Sequence, residues 1–284
     1  VASAASGRVS SNWLTTIDCT YSMIHRILNV YKAAGASGVW SAILWRLNLA
    51  GPRIVSLRLL AGRCGIEIGG PSSVFSKSGP LPIYPIVGTL DNCNFSAATV
   101  WEPNGLAGKE AFQFDPERKA GHQFISEASN LNCISTSAYD FLICSHVIEH
   151  VANPLRALRE WLRIIQPGGT LVMVVPHRNG AFDHRRPVTS FQHLLDDFAR
   201  GIGEDDLTHL PEILVLHDLS RDPGAGTHAQ FEARSRKNLE NRCLHHHVFD
   251  VELVVKMLAH AECEILALDQ LAPHHIVAVA RKSH

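Results

Sequence analysis

The feature that most constrains the fold is an amphipathic helix between two apolar strands in residues 139–177. The segments YDFLICSHV and TLVMVVP are apolar runs of strand length, and between them lie Asn153, a suitable N-cap, and Pro154, which suits the first helical position. The apolar residues of this helix repeat at spacings of three and four: Leu155, Leu158, Leu162 and Ile165. Residues 167–169, PGG, then end the helix. A strand, a crossover helix and a second strand predict two parallel strands of one sheet.

Further strand segments lie on both sides of this block. CGIEIGG begins at Cys64, PIVGTLD ends at Asp91, and the chain closes with ECEILALDQ and HHIVAVARK. The last two segments are separated by little more than Pro273, so they must pair as an antiparallel hairpin. We therefore predict an α/β protein with a Rossmann-like, doubly wound, mostly parallel sheet of seven strands that ends in a C-terminal antiparallel hairpin.

Two regions do not follow this alternation of strands and helices. Residues 1–61 predict an N-terminal helical extension, and residues 62–284 predict the sheet domain, with an inserted helix and loop at about 181–245 that is rich in charge and histidine. One helical face of the extension is apolar: Met23, Ile24, Ile27, Leu28 and Tyr31. Trp40 and Trp45 leave two interpretations open, a peripheral contact with a membrane surface and a cap packed on the main domain.

The composition predicts a folded protein whose partner is not a nucleic acid. Of 284 residues, 46% are apolar and 19% are charged, and the formal net charge is −1, so no basic bias favours nucleic acid. No run of 18 apolar residues predicts a transmembrane helix. The seven cysteines lack CxxC pairing, which indicates a reducing compartment. We therefore expect the cytoplasm, or an organelle matrix or stroma if the start at Val1 instead of Met reflects a cleaved transit peptide.

Glycines and polar residues follow three strands at the edge where doubly wound sheets bind ligands. Gly69 and Gly70 in the EIGGPS segment let the backbone approach a ligand closely. Asp91 lies 24 residues after the glutamate of that segment, which suits either a hydrogen bond from ribose hydroxyls or a helix cap. Glu127 beside Ala128 is a candidate contact for an adenine edge.

Residues 139–177 resemble the class I S-adenosylmethionine (SAM) dependent methyltransferases, especially the subgroup that includes the quinone-biosynthesis enzymes. The shared motifs, in chain order, are Tyr139-Asp140, Val147-Ile148-Glu149-His150, Pro154 and Pro167-Gly168-Gly169. The resemblance covers about residues 62–180, and the terminal hairpin fits the same fold. It implies methyl transfer as the activity and SAM as the cofactor.

The resemblance also implies which residues hold SAM. These lie at the ends of successive strands: Glu67, Gly69, Gly70, Pro71, Asp91, Glu127, Ala128 and Ser145. The loop departs from the usual E/D-x-G-x-G-x-G pattern, because Pro71 and Ser72 stand where glycine is expected. The EIGGPS form, with the DHRRP and LHHHVFD segments, resembles family members associated with polysaccharide or glycan biosynthesis.

Histidines after the central strands are candidates for catalysis. A hydroxyl nucleophile needs a general base, and we predict His146 or His177 for this role. Substrate contacts are predicted at the mouth of the site: Asp183, His184, Arg185, Arg186 and His246. The two arginines fit either a clamp on a phosphate or carboxylate or an Asp-Arg network that fixes the loop.

The run of three histidines at 245–247 leaves three interpretations open. Two of these histidines could join Asp183 and His184 as metal ligands, one could be a general base, or all three could form a structural polar cluster. We predict the structural cluster and no metal site.

The sequence thus predicts a SAM-dependent methyltransferase that methylates a hydroxyl of a small molecule or a glycan. The alternative is a catalytically inactive, methyltransferase-like subunit of a larger complex, which the altered loop and the N-terminal extension motivate. An NAD-dependent oxidoreductase is less well supported, because the loop lacks the GxGxxG pattern.

Overall fold

A computed structural model of the protein describes residues 51–99 and 111–283, together with four single residues: Ala36, Val39, Ile43 and Leu47. The predicted apolar face of residues 23–31 and the two tryptophans at 40 and 45 lie outside the described residues.

The described chain forms one sheet with helices on both faces. Its strands are β1 (Cys64–Ile68), β2 (Thr89–Asn94), β3 (Ala111–Phe112), β4 (Gly121–Ile125), β5 (Tyr139–Ser145), β6 (Ile165–Pro176), β7 (Cys263–Leu271) and β8 (His275–Lys282). Its α-helices are α1 (Gly51–Leu60), α2 (Pro154–Ile164), α3 (Phe191–Arg200), α4 (Leu210–Leu216), α5 (His228–Ser235), α6 (Asn238–Asn241) and α7 (Val251–His260).

The strand order confirms the predicted doubly wound sheet. The order is β3-β4-β2-β1-β5-β6-β8-β7, and the five strands from β4 to β6 in this order are parallel. The last two strands form the predicted antiparallel hairpin, with β8 inserted between β6 and β7. The sheet has eight strands instead of seven, because the two-residue strand β3 pairs antiparallel with β4 at the far edge. Two residues are too few to produce a readable periodicity.

Neighbouring residues of the central strands face opposite sides of the sheet, and both sides are buried. In β5, Leu142 belongs to a core with α2, α3 and α7, whereas Ile143 belongs to a core on the other face with α1. That second face is also covered by residues 69–88, which form a short 3-10 turn at Ser73–Phe75 and otherwise irregular chain between β1 and β2. Burial on both faces explains why these strands are continuous apolar runs.

The second strand differs from its prediction. PIVGTLD ends at Asp91, but β2 runs from Thr89 to Asn94, so Asp91 lies within the strand and the strand ends three residues later. The strand continues through two asparagines because tertiary hydrogen bonds satisfy their side chains: Asn92 donates to Gln123 Oε1 (2.9 Å), and Asn94 donates to the Gly70 carbonyl (3.0 Å).

The predicted insertion lies beside the carboxyl ends of the strands. It contains α3 to α6 and has a small apolar cluster of its own: Leu210, Ile213, Ala225, Phe231 and Leu244. Among the described residues, no helix is both long and apolar enough to span a membrane.

Candidate active site

A cavity of about 510 Å³ opens at the carboxyl ends of β1, β2, β4 and β5, under the insertion. This volume is typical of small-molecule sites, and its position is where doubly wound sheets bind ligands. One side of the cavity is formed by strand ends, and the other side by insertion residues such as Phe182 and Arg242. Both the sheet and the insertion therefore contribute residues to one site.

The glycine loop after β1 lines the cavity, with Gly69, Gly70 and Pro71 at its surface. Gly69 has φ +80°, a conformation that favours glycine, and a Cβ there would lie 2.5 Å from Val147 Cγ2. Glu67 lies beneath the loop and does not line the cavity: it is fully buried and accepts hydrogen bonds from Tyr84 Oη (2.7 Å) and Ser72 N (3.1 Å). Glu67 thus shapes the loop from below.

Asp91 does not line the cavity. Its carboxylate accepts hydrogen bonds from the Tyr139 hydroxyl (2.8 Å) and from the backbone N–H of His122 (2.7 Å). The residues at the end of β2, Asn94 and Phe95, line the cavity instead. The sequence does not indicate these two residues, because the segment that predicts the strand ends at Asp91, three residues before the end of β2.

Glu127 and Ala128 line the cavity after β4. Arg242 of the insertion donates a hydrogen bond to the Glu127 carboxylate, and its guanidinium carbon lies 5.1 Å from the centre of the Phe95 ring. The Trp161 indole of α2 donates to the Ala128 carbonyl (2.9 Å), which fixes this turn against the core. Arg242 therefore joins the insertion to both strand ends, a contact that the sequence did not predict.

Ser145 and His146 line the cavity at the end of β5. His146 has φ +55°, which is uncommon for a residue other than glycine, and its ring is held from two sides. His146 Nε2 lies 2.9 Å from His275 Nδ1, and His146 Nδ1 lies 3.3 Å from Glu149 Oε1. His177 does not line the cavity, because its Nδ1 accepts a hydrogen bond from Asn179 N (3.2 Å) and caps its own turn.

Glu149 is a fully buried carboxylate at the cavity wall, and neither of its oxygens has a hydrogen bond of good geometry. Burial opposes ionisation, yet the nearby His146, His150 and His245 lower its pKa below the usual value. A buried anion without hydrogen-bond donors is costly unless a cation lies beside it.

An Asp-His pair faces the same cavity wall. His245 lines the cavity, and its Nδ1 lies 2.8 Å from Asp183 Oδ2. Burial opposes ionisation of Asp183, but His245 and Arg186 lower its pKa, so the carboxylate accepts and Nδ1 donates. In the neutral ring, the lone pair is then on Nε2. We predicted His246 as the substrate contact from the run of three histidines, but His245 is the one that lines the cavity. No periodicity in the sequence distinguishes these two neighbours.

The five residues predicted to contact substrate do not line the cavity. Arg186 donates to the backbone carbonyls of His245 (2.6 Å) and His246 (3.1 Å), and His184 and Arg185 both pair with Asp218. This arrangement is the Asp-Arg network that fixes a loop, the second of the two interpretations of the DHRRP segment. The His246 ring is buried against Asn238, with Nε2 3.0 Å from its amide nitrogen.

The sheet order, the inserted antiparallel β8 and the glycine loop at the cavity together define the class I methyltransferase fold. A family profile described as a methyltransferase domain matches residues 55–219, more than half of the chain. The protein therefore belongs to the methyltransferase-domain family, which confirms the resemblance drawn from residues 139–177 and, with it, SAM as the cofactor. No curated protein sequence matches the chain.

Solved structures of SAM-dependent methyltransferases from Aquifex aeolicus, Mesorhizobium loti and Methanosarcina mazei are similar to this chain in fold. Their sequence identities to it are 13%, 13% and 17%, and their TM-scores are 0.42, 0.44 and 0.43. The alignments cover 84%, 81% and 81% of this chain and 92%, 97% and 96% of those chains.

The residues at the strand ends fit SAM. Asn94 and the Glu127 carboxylate place polar side chains along one side of the cavity, beside the loop of Gly69 and Gly70. The Glu149 carboxylate, which has no hydrogen-bond partner, matches the positive charge of a sulfonium ligand. When bound, SAM supplies an electrophilic methyl group.

Proposed function

We propose that this protein methylates a hydroxyl group of a small molecule or a glycan-type acceptor, with His245 as the general base. The observation that carries the proposal is the Asp183–His245 hydrogen bond of 2.8 Å at the cavity wall. Because the Asp183 carboxylate accepts a hydrogen bond from the Nδ1–H of His245, the lone pair of the neutral ring is on Nε2, which can accept a proton. A neutral amine attacks through its lone pair before it loses a proton, whereas a hydroxyl must lose its proton as it attacks, so the pair favours a hydroxyl.

The proton and electron balance of the step involves three groups. The acceptor oxygen forms a bond to the methyl carbon while the C–S bond breaks and its electron pair stays on sulfur. The hydroxyl proton passes to His245 Nε2. The Asp183 carboxylate accepts a hydrogen bond from Nδ1, and a Glu149 oxygen lies within 4.8 Å of a nitrogen of the same ring, so both carboxylates stabilise the charge of the resulting imidazolium. This assignment differs from His146 and His177, since the His146 ring lies between His275 Nδ1 (2.9 Å) and Glu149 Oε1 (3.3 Å), and His177 does not line the cavity.

The test is methyl transfer from radiolabelled SAM to a panel of methyl glycosides and phenols, with primary amines as the comparison set. We expect labelled methyl ethers, and we expect His245→Ala to lower the single-turnover rate by about 10²–10⁴-fold, the usual contribution of a general base. The affinity for S-adenosylhomocysteine should stay the same, because the base acts on the acceptor.

The matched control is His260→Ala, an exposed histidine in the last turn of α7. It should retain the full rate. If His245→Ala also retains the full rate, or if amines alone are methylated, the proposal is wrong.

One observation favours the alternative, an inactive methyltransferase-like subunit of a larger complex. The Gly70 N–H donates to Asn92 Oδ1 (3.0 Å), and the Gly70 carbonyl accepts from Asn92 Nδ2 (3.2 Å), so the loop backbone is bonded internally. Calorimetry with S-adenosylhomocysteine separates the two functions: micromolar binding supports the enzyme, and no binding supports the subunit.

A further inference from the structure

A second histidine cluster lies outside the cavity. It consists of His193, Asp197, His209 and His247, and one ring nitrogen or carboxylate oxygen of each lies within 4.8 Å of those of the others. His193 and Asp197 are one turn apart on α3, His209 precedes α4, and His247 precedes α7. Three separate parts of the chain therefore bring their polar groups to one point.

The distances within this cluster match those between ligands of a tetrahedral metal ion. His193 Nε2 lies 3.0 Å from His209 Nε2 and 3.1 Å from Asp197 Oδ2, and His247 Nε2 lies 3.8 Å from the same oxygen. Ligands about 2.0–2.1 Å from a tetrahedral zinc ion are roughly 3.3 Å apart. The three rings are inclined to one another by 63–73°, so they are not stacked.

Hydrogen bonds alone explain this arrangement poorly. A ring nitrogen has either one hydrogen or one lone pair, so His193 Nε2 cannot be a full partner to both His209 Nε2 and Asp197 Oδ2. Asp197 and His247 are also buried, and although His247 Nε2 lies 3.2 Å from the Ala152 carbonyl oxygen, His247 Nδ1 has no hydrogen-bond partner, which is costly for a buried polar group. A cation at the centre would satisfy a lone pair on each group.

The donor set and its surroundings favour zinc. Imidazole nitrogens and a carboxylate oxygen are common zinc ligands, and four protein ligands are typical of a structural site. Arg200 donates to Asp197 Oδ1 (2.8 Å), which orients the carboxylate and leaves Oδ2 toward the cluster. The His193 side chain is 32% exposed, so an ion can reach the site from solvent.

We propose that His193, Asp197, His209 and His247 bind one structural zinc ion. The ion would link α3, the chain before α4 and the segment that leads into α7. His247 lies two residues after His245, so the ion would also fix the segment that places His245 at the cavity wall. The sequence predicted no metal, because these ligands are scattered over 55 positions without a recognisable spacing.

The first experiment measures metal in the full chain without a histidine tag. We expect about one equivalent of zinc by mass spectrometry, its removal by a chelator, and a raised melting temperature when Zn²⁺ is returned. Replacement by Co²⁺ should give the visible absorption of a tetrahedral ion. If no zinc binds and Zn²⁺ leaves the melting temperature unchanged, the proposal is overturned.

Variants then locate the ion. His209→Ala should weaken zinc binding by more than about 10-fold, since even residues that only orient ligands contribute 10–100-fold, while the exposed control His228→Ala should bind zinc normally. If His209→Ala fails to fold, His209→Cys tests the same position, because it should keep zinc and add a thiolate-to-cobalt absorption band. Zinc that persists in His209→Ala but is lost in His245→Ala would place the ion in the cavity and overturn the proposal.

Discussion

Among single residues, Glu67 has an unusual environment for a carboxyl group. Burial raises its pKa to about 8, although hydrogen bonds from Tyr84 and Ser72 oppose the rise. The Cys144 thiol is near the same carboxyl, and both it and the Tyr84 hydroxyl have pKa values raised by burial. The groups that face Glu67 are therefore neutral at physiological pH, and none of them pairs with its charge.

The raised pKa predicts that Glu67 makes the fold less stable as pH rises. The carboxyl titrates near 4.5 when unfolded and near 8 when folded, so the folded state binds more protons between these values. The contribution of Glu67 to the free energy of unfolding is fully present below about pH 4.5. It decreases as the pH rises to about 8, by a few kcal/mol in total. Glu67→Gln should remove this dependence.

Urea unfolding of the natural chain and of Glu67→Gln at about pH 5 and about pH 9 measures how the stability of each protein depends on pH. The exposed Glu117→Gln is the control. The stability of Glu67→Gln relative to the natural chain should increase with pH, whereas the control should follow the natural chain. Equal pH dependence in all three proteins would contradict the pKa of Glu67.

Glu149 should distinguish the charged cofactor from its neutral product. The buried carboxylate lines the cavity without a hydrogen bond, so a sulfonium would gain from its charge and a thioether would not. We expect Glu149→Gln to weaken SAM binding by roughly 10-fold, about 1.4 kcal/mol, with little change for S-adenosylhomocysteine. Calorimetry with both ligands provides the comparison, and an equal loss for the two would indicate a structural role instead.

At the scale of helices and strands, the elements with strong periodicity were predicted with the right type, but two predicted boundaries were wrong. The helix α2 ends at Ile164, and Ile165 and residues 167–169 belong to β6, because Ile165 is extended and pairs with Tyr139 of β5. The helix after Asn153 has the predicted cap, since Asn153 Oδ1 accepts from Arg156 N (3.1 Å), and Pro154 is its first residue. The terminal hairpin was also confirmed. The predicted end of β2 was wrong. Asparagine is uncommon in strands, but the side chains of Asn92 and Asn94 make hydrogen bonds to residues that are distant in the sequence, so the strand continues through them.

At the scale of the whole molecule, Arg186 holds the start of the insertion against its end. It is buried and donates to the carbonyls of His245 and His246, and loss of the guanidinium would leave both carbonyls without a donor. We expect Arg186→Ala to lower the free energy of unfolding by about 2–5 kcal/mol. Denaturant unfolding with Arg185→Ala as the control measures this.

Arg185 is a close match because its side chain is 51% exposed and pairs with Asp218 at the surface. Its replacement should cost no more than about 1 kcal/mol. Equal losses in the two variants would mean that Arg186 does not hold the start of the insertion against its end.

The sequence by itself determined the fold, because the hydrophobic periodicity of residues 139–177 and of the final hairpin is visible within each short segment. It also placed the glycine loop, Glu127, Ala128 and Ser145 at the cavity. Only the tertiary structure decided which histidine of the run 245–247 faces which neighbour: the first pairs with Asp183, 62 residues away, the second with Asn238, and the third joins the cluster on α3. These contacts depend on how the helices and loops pack together, and no local sequence pattern predicts them.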